Sequence, residues 1–452
     1  MITDRQGEAL NGANQQAADL FDQAVDAFNL YRGDPVALID QAIDAAPACP
    51  MAYIFKAHAF ALATEPEASR EARALVQTLK RMTLSDRESS HVAALEHVLA
   101  GNWTRAALQL DLHNVHYPRD MVALQAGHLI DFYRANSRNL RDRIARVLPQ
   151  WSADTPGYPV VLGMYAFGLE ETGDYARAEA SGRRAVALQP LDCWAHHAVA
   201  HVMEMQGRPD EGIEWMISRE PHWASDDNIF KVHNWWHRAL CHLELGQVEQ
   251  ALALYDQAVW STPSTIALEL VDASALLWRL HLKGAELGNR WHAVADSWAA
   301  HVEQSDYPFN DWHAAMAYLG AGRDTELQRL LQNLRVRAAS NTEAARWAGE
   351  EGIALVEGFI AFWRGSYGTA AERLHRGRFI ANGFGGSNAQ RDIIDLTLTE
   401  AALRGGLRGL GRALADERLA LKPHSPINRE FLLRATTGRQ QAKPVEALDV
   451  SG

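Results

Sequence analysis

The chain has 452 residues, an apolar fraction of 47%, and 44 basic against 56 acidic side chains for a net charge of −12. That acidic balance argues against a nucleic-acid or anionic-membrane partner, and no run of about 18 apolar residues is present to span a bilayer. Three widely spaced cysteines (Cys49, Cys193, Cys241) and an N-terminus without a basic, then apolar, leader lead us to expect a reduced cytoplasmic protein.

Apolar residues recur at three- and four-residue spacing along nearly the whole chain, and strand-like alternation is scarce. Residues 15–31 and 36–46 read as an opening helical pair broken at Gly33-Asp34-Pro35, and 50–64 with 67–83 as a second. Units follow at 85–118, 159–190, 192–220, 232–263, 306–337 and 350–381, with 120–150 and 265–300 as helical connections. A Gly-rich turn at 383–388 precedes a capping pair at 389–422, and a polar tail over 436–452 is expected to be flexible. The whole of 1–435 thus reads as one helical-repeat unit, clearest over 85–381.

The units share one pattern of small residues. Ala94, Gly101, Ala106 and Pro118 form one copy; Ala166, Gly173, Ala178, Ala185 and Pro190 a second; Ala239, Gly246, Ala251, Ala258 and Pro263 a third; Gly358, Gly365, Ala370 and Gly377 keep the offsets. Small residues let paired helices approach, Gly ends the first helix and Pro stops the second. This predicts an all-α, right-handed superhelix of tetratricopeptide-like hairpins, an α-solenoid. The segments DCWAHHAVAHVMEMQGR (192–208), HNWWHRALCHLELG (233–246), GMYAFGLEETGDYARAE (163–179), AQRDIIDLTLTEAAL (389–403) and ERLALKPHSP (417–426) resemble the tetratricopeptide repeat protein 38 family over about 15–435. The resemblance implies an all-helical superhelix and carries little about function.

A helix turns about 100° per residue, so each side chain can be placed relative to the small residue that meets the partner helix. With Ala200 as origin, His197, Glu204 and His201 share one flank, the flank that lines the concave face in tetratricopeptide arrays. The corresponding flank of other units holds Glu170, Trp236, His233, Trp194, Trp312 and His91, while His237 and His313 occupy one equivalent slot slightly further round. Several units therefore send imidazoles, indoles and carboxylates toward one interior.

Two pairs, His197/His201 and His233/His237, have the i, i+4 spacing that lets two imidazoles on one helix bind an ion, with Glu204 or Glu170 to complete the set. Neither pair has a Glu directly after its first His, so the zincin pattern is absent; no metal is expected, with His197, His201 and Glu204 the minority candidates. Acid–base chemistry is the alternative use: Glu204, three residues after His201, would orient that imidazole and hold its titration near neutrality. The catalytic candidates are then His201, Glu204, His197 and His233. The ligand-binding candidates are Glu170, Trp194, Trp236, His237, His91, His313 and Arg391, the indoles serving as flat apolar walls.

No phosphate-binding loop is present, since 383–388 follows a helix rather than a strand, and no cofactor is expected. Two functions stay open. One is a small-molecule ligand in an inner His/Trp/Glu cavity, as binder or as enzyme. The other is an adaptor whose concave groove holds a partner peptide or protein. The inward slots hold almost no Lys, which favours the first.

Overall fold

The computed structural model describes residues 2–301, 307–380 and 382–437. Eleven hairpins follow one another. They are α1 (Gln15–Leu30) with α2 (Pro35–Ala45), α3 (Pro50–Ala61) with α4 (Pro66–Leu79), and α5 (Asp86–Leu99) with α6 (Trp103–His116). Next come α7 (Met121–Tyr133) with α8 (Ser137–Val147), α9 (Tyr158–Glu171) with α10 (Tyr175–Leu188), and α11 (Cys193–Met205) with α12 (Pro209–Trp223). Then α13 (Lys231–Glu244) pairs with α14 (Val248–Leu254), α15 (Ala267–Leu282) with α16 (Arg290–Trp298), and α17 (Pro308–Gly320) with α18 (Asp324–Ala338). A short α19 (Glu343–Trp347) leads through a π-turn into α20 (Ile353–Trp363), which pairs with α21 (Tyr367–Gly377). The last hairpin, α22 (Asn388–Arg404) with α23 (Arg408–Leu421), is capped by α24 (Pro426–Thr437). The fold is an all-α superhelix of helical hairpins. Among the described residues β-structure is limited to two isolated bridges, and no helix is long and apolar enough to cross a membrane.

The small residues sit where the pattern places them. Ala166 of α9 and Ala178 and Ala185 of α10 are almost completely buried, a Cβ at Gly182 of α10 would lie 3.5 Å from that of Ala166, and Gly173 makes the intervening turn at φ +81°, which suits a residue without Cβ. The segments 120–150 and 265–300, expected as connections, are complete hairpins of their own. The helix α24 lies beyond the expected capping pair. The tail beyond residue 437 lies outside the described residues.

The two helices of a hairpin are not equivalent. Twelve of the 13 residues of α11 are buried, as are 12 of 13 in α17, whereas α10 buries four of 14. From α7 to α17 the first helices are surrounded, and the second helices form the outer wall. The reason is closure of the superhelix on itself. Arg32 pairs with Asp227, Asn310 Nδ2 donates to Thr64 O, Thr104 N to Glu343, Asn388 N to Glu171, and Ser425 Oγ to Glu244. These partners are 181 to 246 residues apart, so the later hairpins seat on the earlier ones and fill the axis. The concave face, expected to line an inner cavity or a partner groove, is core.

Candidate functional site

Adjacent first helices α11 and α13 each carry one i, i+4 histidine pair, and the two pairs face each other. Asp192 caps the N-terminus of α11 by accepting from Ala195 N at 2.9 Å, which fixes the start of the helix that carries His197 and His201. The ligand atoms of His197, His201, His233 and His237 all lie within 4.8 Å of one another. His233 Nε2 is 3.2 Å from His197 Nε2 and 3.2 Å from His237 Nε2. The four rings are buried, none more than 3% exposed.

Carboxylates hold the outer nitrogens. His233 Nδ1 donates to Asp272 on α15 at 2.9 Å, and His237 Nδ1 donates to Glu204 Oε2 at 3.0 Å. His201 Nδ1 stands 3.4 Å from Glu170 Oε2 on α9. Trp236 stacks on His233 with ring centroids 5.2 Å apart, and Trp194 packs on His197 at 5.1 Å. Burial pulls His197 and His237 well below the ordinary imidazole range, reinforced by the neighbouring histidines. Burial likewise takes His201 down to about 4, against the pull of Glu204, and pushes Glu170 up to about 8, with Glu204 adding to it. Asp272 is raised by burial despite His233.

Seven of the residues singled out from sequence (Glu170, Trp194, His197, His201, Glu204, Trp236 and the pair-mate of Glu204, His237) therefore meet His233 in one knot. The partnership differs from the expected one. Glu204 reaches across to His237 on the next first helix rather than back to His201, and burial takes His201 away from neutrality. Three other candidates lie elsewhere. His313 donates from Nδ1 to Phe309 O at 2.8 Å and packs on Trp312. Arg391 binds Asn388 Oδ1 and Glu171, fastening α22 to α9.

His91 belongs to a separate cluster. Its Nε2 and that of His113 each lie 3.1 Å from Asp120 Oδ2, which also accepts from Arg87 Nε at 2.6 Å; His58 Nε2 is 3.1 Å from His91 Nδ1. The same oxygen serves three donors and Asp120 Oδ1 caps α7 through Ala123 N. This hydrogen-bond hub ties α5, α6 and α7 together around Asp120, with Arg87 as its permanent counter-charge and His58 Nδ1 and His113 Nδ1 left without partners.

A cleft opens beside the knot. It is lined by Glu204, Leu240, Leu243 and Glu244 from one side, Arg279, Leu282 and Lys283 from α15, and Asp392, Leu396, Glu400, Arg418, Lys422, Ile427 and Phe431 from the last hairpin and α24, and offers about 50 Å³ to water centres. Glu204 alone of the sequence-predicted residues lines it, with its second oxygen 3.9 Å from Lys422 Nζ. Most of its cations are paired: Arg418 with Asp392 at 2.7 Å, Lys283 with Glu430 at 3.2 Å. Arg279 is different. It is buried, donates to Ala389 O at 2.8 Å and lies over Trp236, yet among the described residues no carboxylate comes within 4 Å of it. Burial lowers it to about 10. The scarcity of Lys in the expected inward slots did not foretell these cations, because α15 was read as a connection and residues 418–422 belong to the returning end of the chain. The signal is present in α15, where Asp272 and Arg279 are buried seven residues apart in a mostly apolar helix. A larger groove of about 540 Å³ lies away from the knot, between the second and third hairpins and α18, and includes none of the candidates.

No family model matches the chain. Among solved structures, it is similar to human IFIT1 in a dimer with m7Gppp-AAAA, at 16% identity and a TM-score of 0.43, covering 94% of this chain and 95% of that one. The human IFIT1 dimer with PPP-AAAA aligns at 15% identity and a TM-score of 0.41, over 94% and 95%. A chain of the APC/C hetero-tetramer Cut9–Hcn1 aligns at 14% identity and a TM-score of 0.41, over 93% of this chain and 76% of that one.

Proposed function

We propose that this protein binds an anionic small molecule in the cleft beside the histidine knot, and that Glu204, held from behind by His237, is its acid–base group. One observation carries the reading: Arg279 is a buried cation on the cleft wall whose protein partners are neutral carbonyls. Its opposing charges, Asp392, Glu204 and Asp272, act only from beyond contact distance, and a carboxylate or phosphate entering the cleft would pair with the guanidinium directly. Apolar walls from Leu240, Leu282, Leu396 and Phe431 suit the remainder of a small organic anion. Glu204 is the residue that touches both the cleft and the knot, so the chemistry moves from His201, where the sequence reading put it, to the Glu204–His237 pair.

The adaptor reading loses its concave groove because first helices such as α11 and α17 are enclosed by the returning chain. The net charge of −12 supports a partner other than nucleic acid, and three free, buried cysteines support a reducing, cytoplasmic setting. The motifs quoted from 163–246 and 389–426 support kinship with the tetratricopeptide repeat protein 38 family.

The test is a native-mass and calorimetric screen of the full chain against small mono- and dicarboxylates and phosphate monoesters. Binding of at least one such anion is expected, lost in Arg279→Met. A ligand held equally well by Arg279→Met would overturn the assignment of the cleft.

A further inference from the structure

We infer that the four histidines of α11 and α13 bind one divalent first-row transition-metal ion, Zn²⁺ or a neighbour, through His197, His201, His233 and His237. Three independent features of the knot point to it.

The first is the direction of the lone pairs. A neutral imidazole that donates from Nδ1 keeps a lone pair on Nε2. His233 and His237 both spend Nδ1–H on carboxylates, so their Nε2 lone pairs face each other at 3.2 Å. Two lone pairs in contact repel; an ion between them turns the same geometry into coordination. Nitrogens bound at about 2.0–2.1 Å to a tetrahedral ion are separated by about 3.3 Å. The observed 3.2 Å contacts match that edge.

The second is the set of orphans. Neither nitrogen of His201 has a hydrogen-bond partner, nor does His197 Nδ1, and all are buried. Buried polar atoms without partners are rare in folded proteins and ask for an explanation. An ion uses one nitrogen of each ring, which gives His201 a partner and leaves Asp272, Glu204 and Glu170 beside the second nitrogens of His233, His237 and His201. Asp272 behind His233 and Glu204 behind His237 form the carboxylate–histidine–metal arrangement that fixes tautomer and ring orientation at metal centres.

The third is charge. Asp272, Glu204 and Glu170 surround the knot, and no Lys or Arg lies within 4 Å of Asp272 or Glu170 among the described residues. Lys422, 3.9 Å from Glu204, is the one such cation beside the three. A dication at the centre would sit among acidic side chains rather than against cations. An all-imidazole set suits Zn²⁺, Cu²⁺, Ni²⁺ or Fe²⁺ over Mg²⁺ or Ca²⁺, which take oxygen ligands. Four protein ligands, none lining the cleft, describe a closed centre that locks α11 to α13 and holds Glu204 in place through His237.

The test uses the full chain and needs no cleft ligand, so its outcome is separate from that of the small-molecule reading. Chelator-stripped protein is titrated with Zn²⁺ and its metal content measured after gel filtration. A single retained ion per chain is expected, and Cu²⁺ in its place should give an electron-paramagnetic spectrum with nitrogen couplings. Asp272→Asn, which leaves all four ligands in place, should weaken Zn²⁺ by about 10–100-fold. His233→Gln with His237→Gln should abolish retention, with helical circular dichroism as the folding control. Wild-type protein that retains no stoichiometric ion, an oxygen-only copper spectrum, or a folded double variant that keeps the ion would each overturn the proposal.

Discussion

Glu204 accepts a hydrogen bond from His237 across the gap between α11 and α13, 33 residues away in sequence, and turns its other oxygen toward Lys422 of the last hairpin. One carboxylate thus joins the buried knot to a cleft lined by α13, α15, the last hairpin and α24.

Glu204→Gln keeps the shape of that side chain and removes its charge. The His237 Nδ1–H can still be accepted by the amide oxygen, so the fold should hold, with a change in unfolding free energy of about 1 kcal/mol or less. Turnover of any molecule found to bind the cleft should fall by about 10²-fold or more, the usual scale for loss of an acid–base group. Steady-state kinetics on the first ligand from the binding screen decide it. Unchanged kcat in Glu204→Gln would remove this residue from the mechanism.

The hairpin pattern makes a prediction about packing. Gly168 lies on the face of α9 against α8, and a Cβ there would sit 2.5 Å from the backbone nitrogen of Arg141. Backbone cannot swing aside as a side-chain end can. Gly168→Ala should therefore force the hairpins apart and cost about 1–3 kcal/mol, outweighing the better helix propensity of Ala. Urea denaturation followed at a helix band measures it. A variant as stable as the parent would show that α8 and α9 pack more loosely than their geometry states.

These two sites show what the sequence could and could not tell. Ala166, Gly173, Ala178 and Ala185 specify contacts between neighbouring helices, and a repeat pattern encodes little else. The convergence of His197, His201, His233 and His237 was readable because α11 and α13 are neighbours of this kind. Closure was not readable. The contact of Asn388 with Glu171 joins residues 217 apart through one capping group, and such a contact leaves no periodic trace. With the closing contacts hidden, α15 looks like a connection, and the burial that shifts His201 has no visible cause. Glu204 was assigned to His201 on the i, i+3 spacing within one helix. The neighbouring helix offered a better aligned donor, which only the hairpin-to-hairpin geometry reveals.

The hub at Asp120 should matter more to stability than any residue of the cleft. Its carboxylate is fully buried and held well below the usual range, burial being outweighed by the charges of Arg87 and His91 and by the hydrogen bonds of His113 and His91. Asp120→Ala leaves the Arg87 guanidinium with Asp4 and a carbonyl, and removes the cap of α7. Loss of one partner of a buried ion pair costs about 3–5 kcal/mol. The sign with pH follows: a carboxylate whose folded pKa is depressed contributes stability above about pH 4, its unfolded range, and loses it as acid is added. The deficit of Asp120→Ala against the parent should thus be full at neutral pH and shrink below pH 4, as read from denaturation midpoints.

His128 offers the opposite case, a buried histidine with nothing to bind. It is 1% exposed, neither ring nitrogen has a partner, and Phe167 and Trp194 pack on it. Burial, and then Arg143, lower it to about 3. A base with a depressed folded pKa contributes fully above its unfolded value of about 6.5. Below that pH the unfolded chain binds the extra proton, and stability falls by about 1.4 kcal/mol per pH unit until the folded value is reached. His128→Phe removes this proton and two orphaned nitrogens while keeping a flat ring in the aromatic cluster. The variant should match or exceed the parent at pH 7.5 and gain about a further 2 kcal/mol over it at pH 5. All other histidines titrate alike in both chains, so the difference isolates this position. Urea midpoints at the two pH values supply the measurement; an advantage that is the same at pH 5 as at pH 7.5 would mean that His128 is already solvated or paired in the folded protein.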